Sequence, residues 1–207
     1  MTPAQQRRLL DQLENRFNKG WRKEIAGAIT SASQSYETSG SYAADVERHE
    51  TQVAGLLQET YMATGNEFAK PIYEKANARG MVTKDFENFQ SLIEAFIASV
   101  GAQKIKDISS TTRNQIEGVI RSGTRDGLSV SEIAANLRAK APLLSGFRAA
   151  VISRTETHSA SQWSQVTAIR DTGLELRKEW VAAADDRTRF DHSVANGQVV
   201  GQDEKFT

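Results

Sequence analysis

The chain has 207 residues, 25% of them charged and 39% hydrophobic, and a formal net charge of zero. That balance excludes a disordered tail and points to a soluble globular protein with long exposed helices. Cysteine is missing, so disulfides and thiolate metal sites are excluded within the chain, and no apolar run approaches the ~20 residues of a membrane span.

The N-terminus, MTPAQQRRLLDQLENRF, is polar and amphipathic and does not read as a secretory signal. Leu10, Leu13, Phe17, Trp21, Ile25 and Ile29 recur at three- and four-residue steps, which predicts one helix over residues 3–37. Thr38-Ser39-Gly40-Ser41 breaks it. Val46, Val53, Leu57, Tyr61, Phe68 and Ile72 predict a second long helix, kinked or split between Gly65-Asn66 and Pro71. His49 stands alone in this polar stretch and is expected in solvent. Arg79-Gly80 closes the helix, and Thr83 is a candidate N-cap for the next. There Phe86, Phe89, Ile93, Phe96 and Val100 step 3-4-3-4, the seam of a core-packed helix.

Ser109-Ser110-Thr111-Thr112 offers a further N-cap, for a helix carrying Ile116, Val119 and Ile120 and ending near Gly123. Ser129 with Glu132 three residues on is a capping box that opens a short helix containing Ile133 and Leu137. Pro142 is expected to end that unit. Another helix is expected from about 143 to 172, with Phe147, Val151, Ile152, Trp163, Val166 and Ile169 inward, stopped by Asp171-Thr172-Gly173. The pattern then changes. Residues 174–181 read as extended, and Asn196-Gly197 between Val194 and Val199 is a two-residue hairpin signal. The expected fold is mainly α (α+β): long N-terminal helices, a helical middle, and a small C-terminal β hairpin element packed on helices. The expected division is 1–108, a helical hairpin or bundle, and 109–207.

Charge is unevenly spread. Residues 1–100 hold 11 Lys/Arg against 13 Asp/Glu, residues 101–180 hold 12 against 8, and residues 181–207 hold 3 against 5. The middle segment is mildly basic, which suits a solvated helix surface better than a dedicated DNA-binding patch.

Two constellations carry candidate chemistry. Arg154 and His158 are four residues apart and share a helix face, whereas Glu156 lies about 200° round from Arg154. Such residues pin neighbouring elements more readily than they catalyse. Asp185-Asp186-Arg187-Thr188-Arg189-Phe190-Asp191-His192 is the densest polar run. Its three carboxylates and histidine are ligands for a divalent cation, but the two arginines compete for those carboxylates. The expectation is a charged turn cross-linked to Arg154 and Glu156, with no metal and no cofactor. Trp180 reads as an aromatic anchor on a strand. The expected site is therefore a structural polar cluster of Arg154, Glu156, His158, Trp180, Asp186, Arg187, Arg189 and His192, with no catalytic residue.

From Ser109 to Leu137, through Ala149–Thr157 with its Arg-Thr-Glu helix, then Gly173, Lys178, Trp180, Asp186, Arg187, Arg189, His192, Asn196-Gly197-Gln198 and Phe206, the chain resembles the phage head morphogenesis family, the Mu F-like minor head proteins. The order and spacing of these pieces carry the resemblance together. The family pattern continues past the phenylalanine into an Asn-Cys-Arg-Cys run, so the 109–207 domain is expected to be truncated at its C-terminal end. The resemblance implies a low-copy virion component of a tailed phage, bound at the portal vertex inside the head and made in the host cytoplasm. Its implied partners are the portal protein, capsid or scaffold protein and packaged double-stranded DNA, with no membrane and no small-molecule substrate. Its implied work is head assembly and DNA retention or ejection. Two alternatives stand beside it. One is an enzymatic or toxin-type effector of ADP-ribosyltransferase kind, using Arg154, Glu156 and His192. The other is a non-specific DNA-binding virion protein.

Overall fold

A computed structural model describes residues 1–80, 86–174, 176–182 and 188–207, without the side chains of Glu87 and Asn88. The N-cap expected at Thr83 lies outside them. The fold is mainly α. Helix α1 (Pro3–Ser39) is followed by α2 (Ala43–Phe68) and α3 (Lys70–Ala78). Next come α4 (Glu87–Phe96), a π-turn (Ile97–Gly101), α5 (Ala102–Arg125) and α6 (Val130–Thr172). A small ribbon closes the chain: β1 (Arg177–Glu179), the short helix α7 (Phe190–Ala195) and β2 (Val199–Gly201). Strand β1 pairs antiparallel with β2, Lys178 opposite Val200.

Helix α1 starts on a Thr2–Gln5 capping box with Pro3 in its first turn, and ends on Gly40 at φ 73°. Its buried stripe is the expected one, with Leu13, Phe17, Trp21, Ile25 and Ile29 inward. The predicted break between Gly65 and Pro71 is also present, as a one-residue interruption at Ala69. Helix α5 closes on a Schellman motif: Leu128 N–H donates to Gly123 O at 2.9 Å, Gly127 N–H donates to Thr124 O at 3.1 Å, and Gly127 has φ 73°. Helix α6 then opens on the predicted box. Glu132 Oε2 accepts from Ser129 N–H at 2.8 Å, and Ser129 Oγ accepts from Glu132 N–H at 3.3 Å.

Several local expectations are corrected. No new helix starts at Ser109–Thr112: Ser109 and Thr112 are buried inside α5, and Thr112 Oγ1 donates to Ile108 O at 3.3 Å. Position 108/109, the expected division, thus falls inside a continuous helix. The seam from Phe86 does not reach Val100, which is 56% exposed. The π-turn inserts one residue, and Gly101 and Ile105 take the inward places. Pro142 does not end a helix but sits inside α6. A mid-helix proline costs ~3 kcal/mol. Burial of Leu137 and Ile152 on either side contributes ~1.5–3 kcal/mol each and offsets that.

Lastly, Asn196-Gly197 does not join two strands as a two-residue hairpin. It follows α7 in a type II turn, with Asn196 at φ −59°, ψ 128°, Gly197 at φ 80°, and Gln198 N–H donating to Ala195 O at 2.9 Å.

Helices α1 and α6 form the most extensive helix pair. They run antiparallel, since Glu14 meets Arg154 and His158 while Glu37 meets Arg138. Helix α2 lies against both, and α5 against α2 and α6. The inward face of α6 is built of small residues: Ala141, Ser145, Ala149, Ser153, Thr157, Ala160, Ser164 and Ala168. Phe147, Val151 and Val166, expected inward, are exposed instead. Bulk decides this. Trp21, Ile25 and Ile29 of α1 fill the interface, and only small side chains opposite let the two axes approach.

Two glycines of α5 separate packing from propensity. A Cβ at Gly123 would lie 2.5 Å from Ile133 Cγ1, while one at Gly118 meets nothing within 4 Å. Gly123→Ala is therefore expected to destabilise the protein by ~1–2 kcal/mol through overpacking, and Gly118→Ala to stabilise it by up to ~1 kcal/mol through helix propensity. Urea midpoints of the two variants check the opposite signs.

The Ser129 hydroxyl and backbone N–H hold the Glu132 carboxyl below its ordinary range. A lowered folded value means that the box stabilises above the unfolded carboxylate pKa and loses that contribution as pH falls through the folded value. The destabilisation caused by Ser129→Ala should accordingly be smaller at acid pH than at pH 7 in urea titrations.

Candidate functional site

The sequence-predicted polar residues fall into two places. The first is a seam between helices. Arg154 and His158 project from one face of α6 toward α1, where Glu14 accepts from Arg154 Nε at 3.5 Å and faces His158 Nε2 at 2.9 Å. Glu156 points the other way, as its angular offset requires. Lys104 Nζ of α5 donates to both its oxygens, at 2.9 and 3.1 Å, and Tyr61 OH of α2 donates to Oε2 at 3.5 Å. The Glu156 side chain is 7% exposed and that of Lys104 27%.

Aromatic rings wall this pair. Tyr61 stacks on Phe96 with centroids 4.7 Å apart, and Trp163 lies 4.7 Å from Phe96 and 5.9 Å from Tyr61. Burial raises the Tyr61 phenol well above its ordinary pKa, and the adjacent Glu156 carboxylate adds to that. Phe96 immediately precedes the π-turn, which turns that ring toward α2 and α6 and brings Lys104 round to Glu156. One further interhelical bond repeats the pattern lower down, where Tyr73 OH donates to Asp171 at 3.0 Å.

The second place is the ribbon. The Trp180 ring meets His192 edge-on at 5.1 Å and Phe206 at 5.2 Å, and Lys178 Nζ lies 5.2 Å over the Phe206 ring. Asn196 Oδ1 accepts from Ala182 N–H at 2.9 Å, and Gly197 N–H donates to Trp180 O at 2.8 Å. Arg189 caps α7: its carbonyl accepts from Ser193 N–H at 3.0 Å. The ribbon is tied to the end of α6 by Arg170 and Asp203 at 2.8 Å. Asp186 and Arg187 lie outside the described residues, as does Asp185.

Arg154, Glu156 and His158 therefore engage α1, α2 and α5, and the expected cross-link from Arg154 and Glu156 to the polar turn has no counterpart among the described residues. Nor is there a group of three or more His, Asp or Glu able to hold a metal there. No helix among them is long and apolar enough to cross a membrane. Two surface hollows, of about 310 and 230 Å³, lie beside Tyr42 and Glu117 and beside Glu24 and His49, away from both places.

The partners Glu14, Tyr61 and Lys104 escaped sequence reasoning, since nothing local links positions 14 and 154 or 104 and 156. His49 is corrected. It is buried, with Nδ1 2.9 Å from Glu24 Oε1 and Nε2 3.1 Å from Thr112 Oγ1. A signal was available, because positions 46, 49 and 53 continue one helical stripe.

The chain is thus a mainly α protein whose polar site residues join helices to one another, with a small aromatic-cored ribbon appended. Residues 114–207, from the middle of α5 to Thr207, match the family described as Phage Mu protein F like protein. A match of this kind suggests a phage head protein. Neither the curated proteins nor the solved structures yield a match.

The Glu156–Lys104 pair is testable by a double-mutant cycle. Glu156→Met leaves Lys104 facing an apolar wall and is expected to cost ~3 kcal/mol, the lower end of the range for breaking a buried pair because Lys104 is partly exposed. Glu156→Met with Lys104→Met should recover most of that loss. Thermal or urea unfolding of the four proteins reads the coupling. Equal losses in the single and double variants would deny the pair its structural role.

Proposed function

We propose that this protein is a minor head protein of a tailed bacteriophage, held at the portal vertex inside the head. There it contacts the portal protein and, at the edge of that site, capsid or scaffold protein, and takes part in head morphogenesis and in retention or ejection of the packaged DNA. One observation carries the reading: the Mu F-like match spans half of α5, all of α6 and the whole ribbon. The physical form agrees with it. Helix α6 runs 43 residues with α1 packed along it, and it ends in a ribbon with its own aromatic cluster.

We read the chain as a structural component and not as an enzyme. Glu156, the strongest candidate for catalysis, has both oxygens engaged by Lys104, and Arg154 and His158 share Glu14. Residues 1–108 supply α1 and α2, the platform on which α6 rests, so the two sequence regions act as one adaptor.

Contact with packaged double-stranded DNA is the second reading. It is favoured by the run from Ile133 to Thr155, which holds four basic residues and no acidic one. Such contact is non-specific and electrostatic, since no recognition motif is present.

The tests are direct. Antibody or mass-spectrometric detection should find the chain in purified virions and procapsids, and a tagged copy should bring down the portal protein. Virions that lack the chain would remove the head-protein reading. For DNA, affinity for a duplex should fall severalfold or more between low and moderate salt, as expected when a few phosphates are neutralised. A flat salt response would dismiss the DNA contact and leave the adaptor role standing.

A further inference from the structure

One face of α6 is left uncovered and it is apolar. Leu143, Phe147 and Val151 follow at four-residue steps and are 76%, 77% and 41% exposed. Ala139 and Ala150, also exposed, lie beside them on the same face. In a helix such residues stack along one side with a drift of about 40° per step. The strip from 139 to 151 is about 18 Å long, three to four turns of a helix. Three large exposed apolar side chains in line are not the scattered exposure of an ordinary surface.

The charge around the strip is one-sided. From Ile133 to Thr155, α6 carries Arg138, Lys140, Arg148 and Arg154 and no carboxylate. Glu37 and Glu14 of α1 answer Arg138 and Arg154. Lys140 and Arg148 have no carboxylate partner among the described residues, and Arg148 Nε is buried without any hydrogen-bond partner. Both lie on the Val151 flank of the strip.

We propose that the Leu143–Phe147–Val151 face of α6 docks an acidic amphipathic helix of a partner protein, with Phe147 as the central anchor and Lys140 and Arg148 pairing with its carboxylates. A second copy of this chain fits less well, because a two-fold contact through the strip sets Lys140 and Arg148 against their own equivalents. An anionic membrane also fits less well. The strip is only one helix wide, and a chain of zero net charge supplies no long-range attraction to a charged bilayer. The proposal concerns a binding face and stands or falls whatever particle the chain belongs to.

The experiment uses the full chain and a fluorescein-labelled helical peptide of about 18 residues, with leucines at three- and four-residue spacing and glutamates elsewhere. Fluorescence anisotropy is the readout. Controls are a scramble of the same composition and a version with lysine for glutamate. The acidic helix is expected to bind at least about tenfold more tightly than either control. Phe147→Ala and Lys140→Glu should each weaken it by about tenfold, with an unchanged melting temperature because both side chains are in solvent. Equal binding of the acidic peptide and its scramble would overturn the proposal. So would a dimer in sedimentation that Phe147→Ala dissolves, which would make a second copy the occupant. Binding to phosphatidylglycerol vesicles that is lost in Phe147→Ala, without any peptide binding, would assign the face to a membrane and overturn the proposal equally.

Discussion

The close approach of α1 and α6 is the constraint on which the rest of the structure depends. It is bought with small side chains: Ser145, Ala149 and Ser153 are buried on the stretch of α6 that the antiparallel register sets opposite the buried Trp21, Ile25 and Ile29 of α1. Dispersion falls steeply with separation, so a seam of small against large residues gains contacts that two bulky stripes held further apart would not. It also tolerates a proline. Pro142 removes one helical hydrogen bond, but the buried residues before and after it keep the helix on the same neighbour. The consequence is a long continuous helix whose bulky residues at 143, 147 and 151 are left facing outward.

Polar groups set the register of this packing. Glu14 with Arg154 and His158, Glu37 with Arg138, and Glu156 with Lys104 tie particular turns of one helix to particular turns of another. The exposed pairs add little stability, on the order of 0–1 kcal/mol each. The Glu156–Lys104 pair is different because it is mostly buried, and a misregistered helix would strand a charge among Tyr61, Phe96 and Trp163. The π-turn belongs to the same arrangement. It adds a residue just before Lys104, so that the face carrying Phe89 and Ile93 passes into the one carrying Gly101, Ile105 and Ile108. His49, between Glu24 and Thr112, links α1, α2 and α5 in the same manner.

The helical body and the ribbon are held differently. The helical body is cross-linked at several heights. The ribbon has a separate small core of Trp180, His192 and Phe206 and a single described ion pair to α6, Arg170 with Asp203. The Mu F-like match runs through both, so what this family segment specifies is a helix rooted in a bundle together with the ribbon at its end.

Much of the fold was legible in the residues. The α1 stripe, the Gly65–Pro71 break, the Ser129–Glu132 box and the Gly173 stop all depend on interactions within a few positions, and local chemistry determined them. The family resemblance, matched over residues 114–207, was legible for the same reason, since it is a matter of order and spacing. Other features were settled only by tertiary contact. Whether Pro142 ends a helix depends on what is buried around it. Whether Phe147 or Ala149 faces inward depends on the size of the side chains α1 presents. Whether Val100 stays on the seam depends on the π-turn, which packs against α2. The partners of Arg154 and Glu156 lie on other helices, and only the folded chain brings Glu14 and Lys104 within bonding distance.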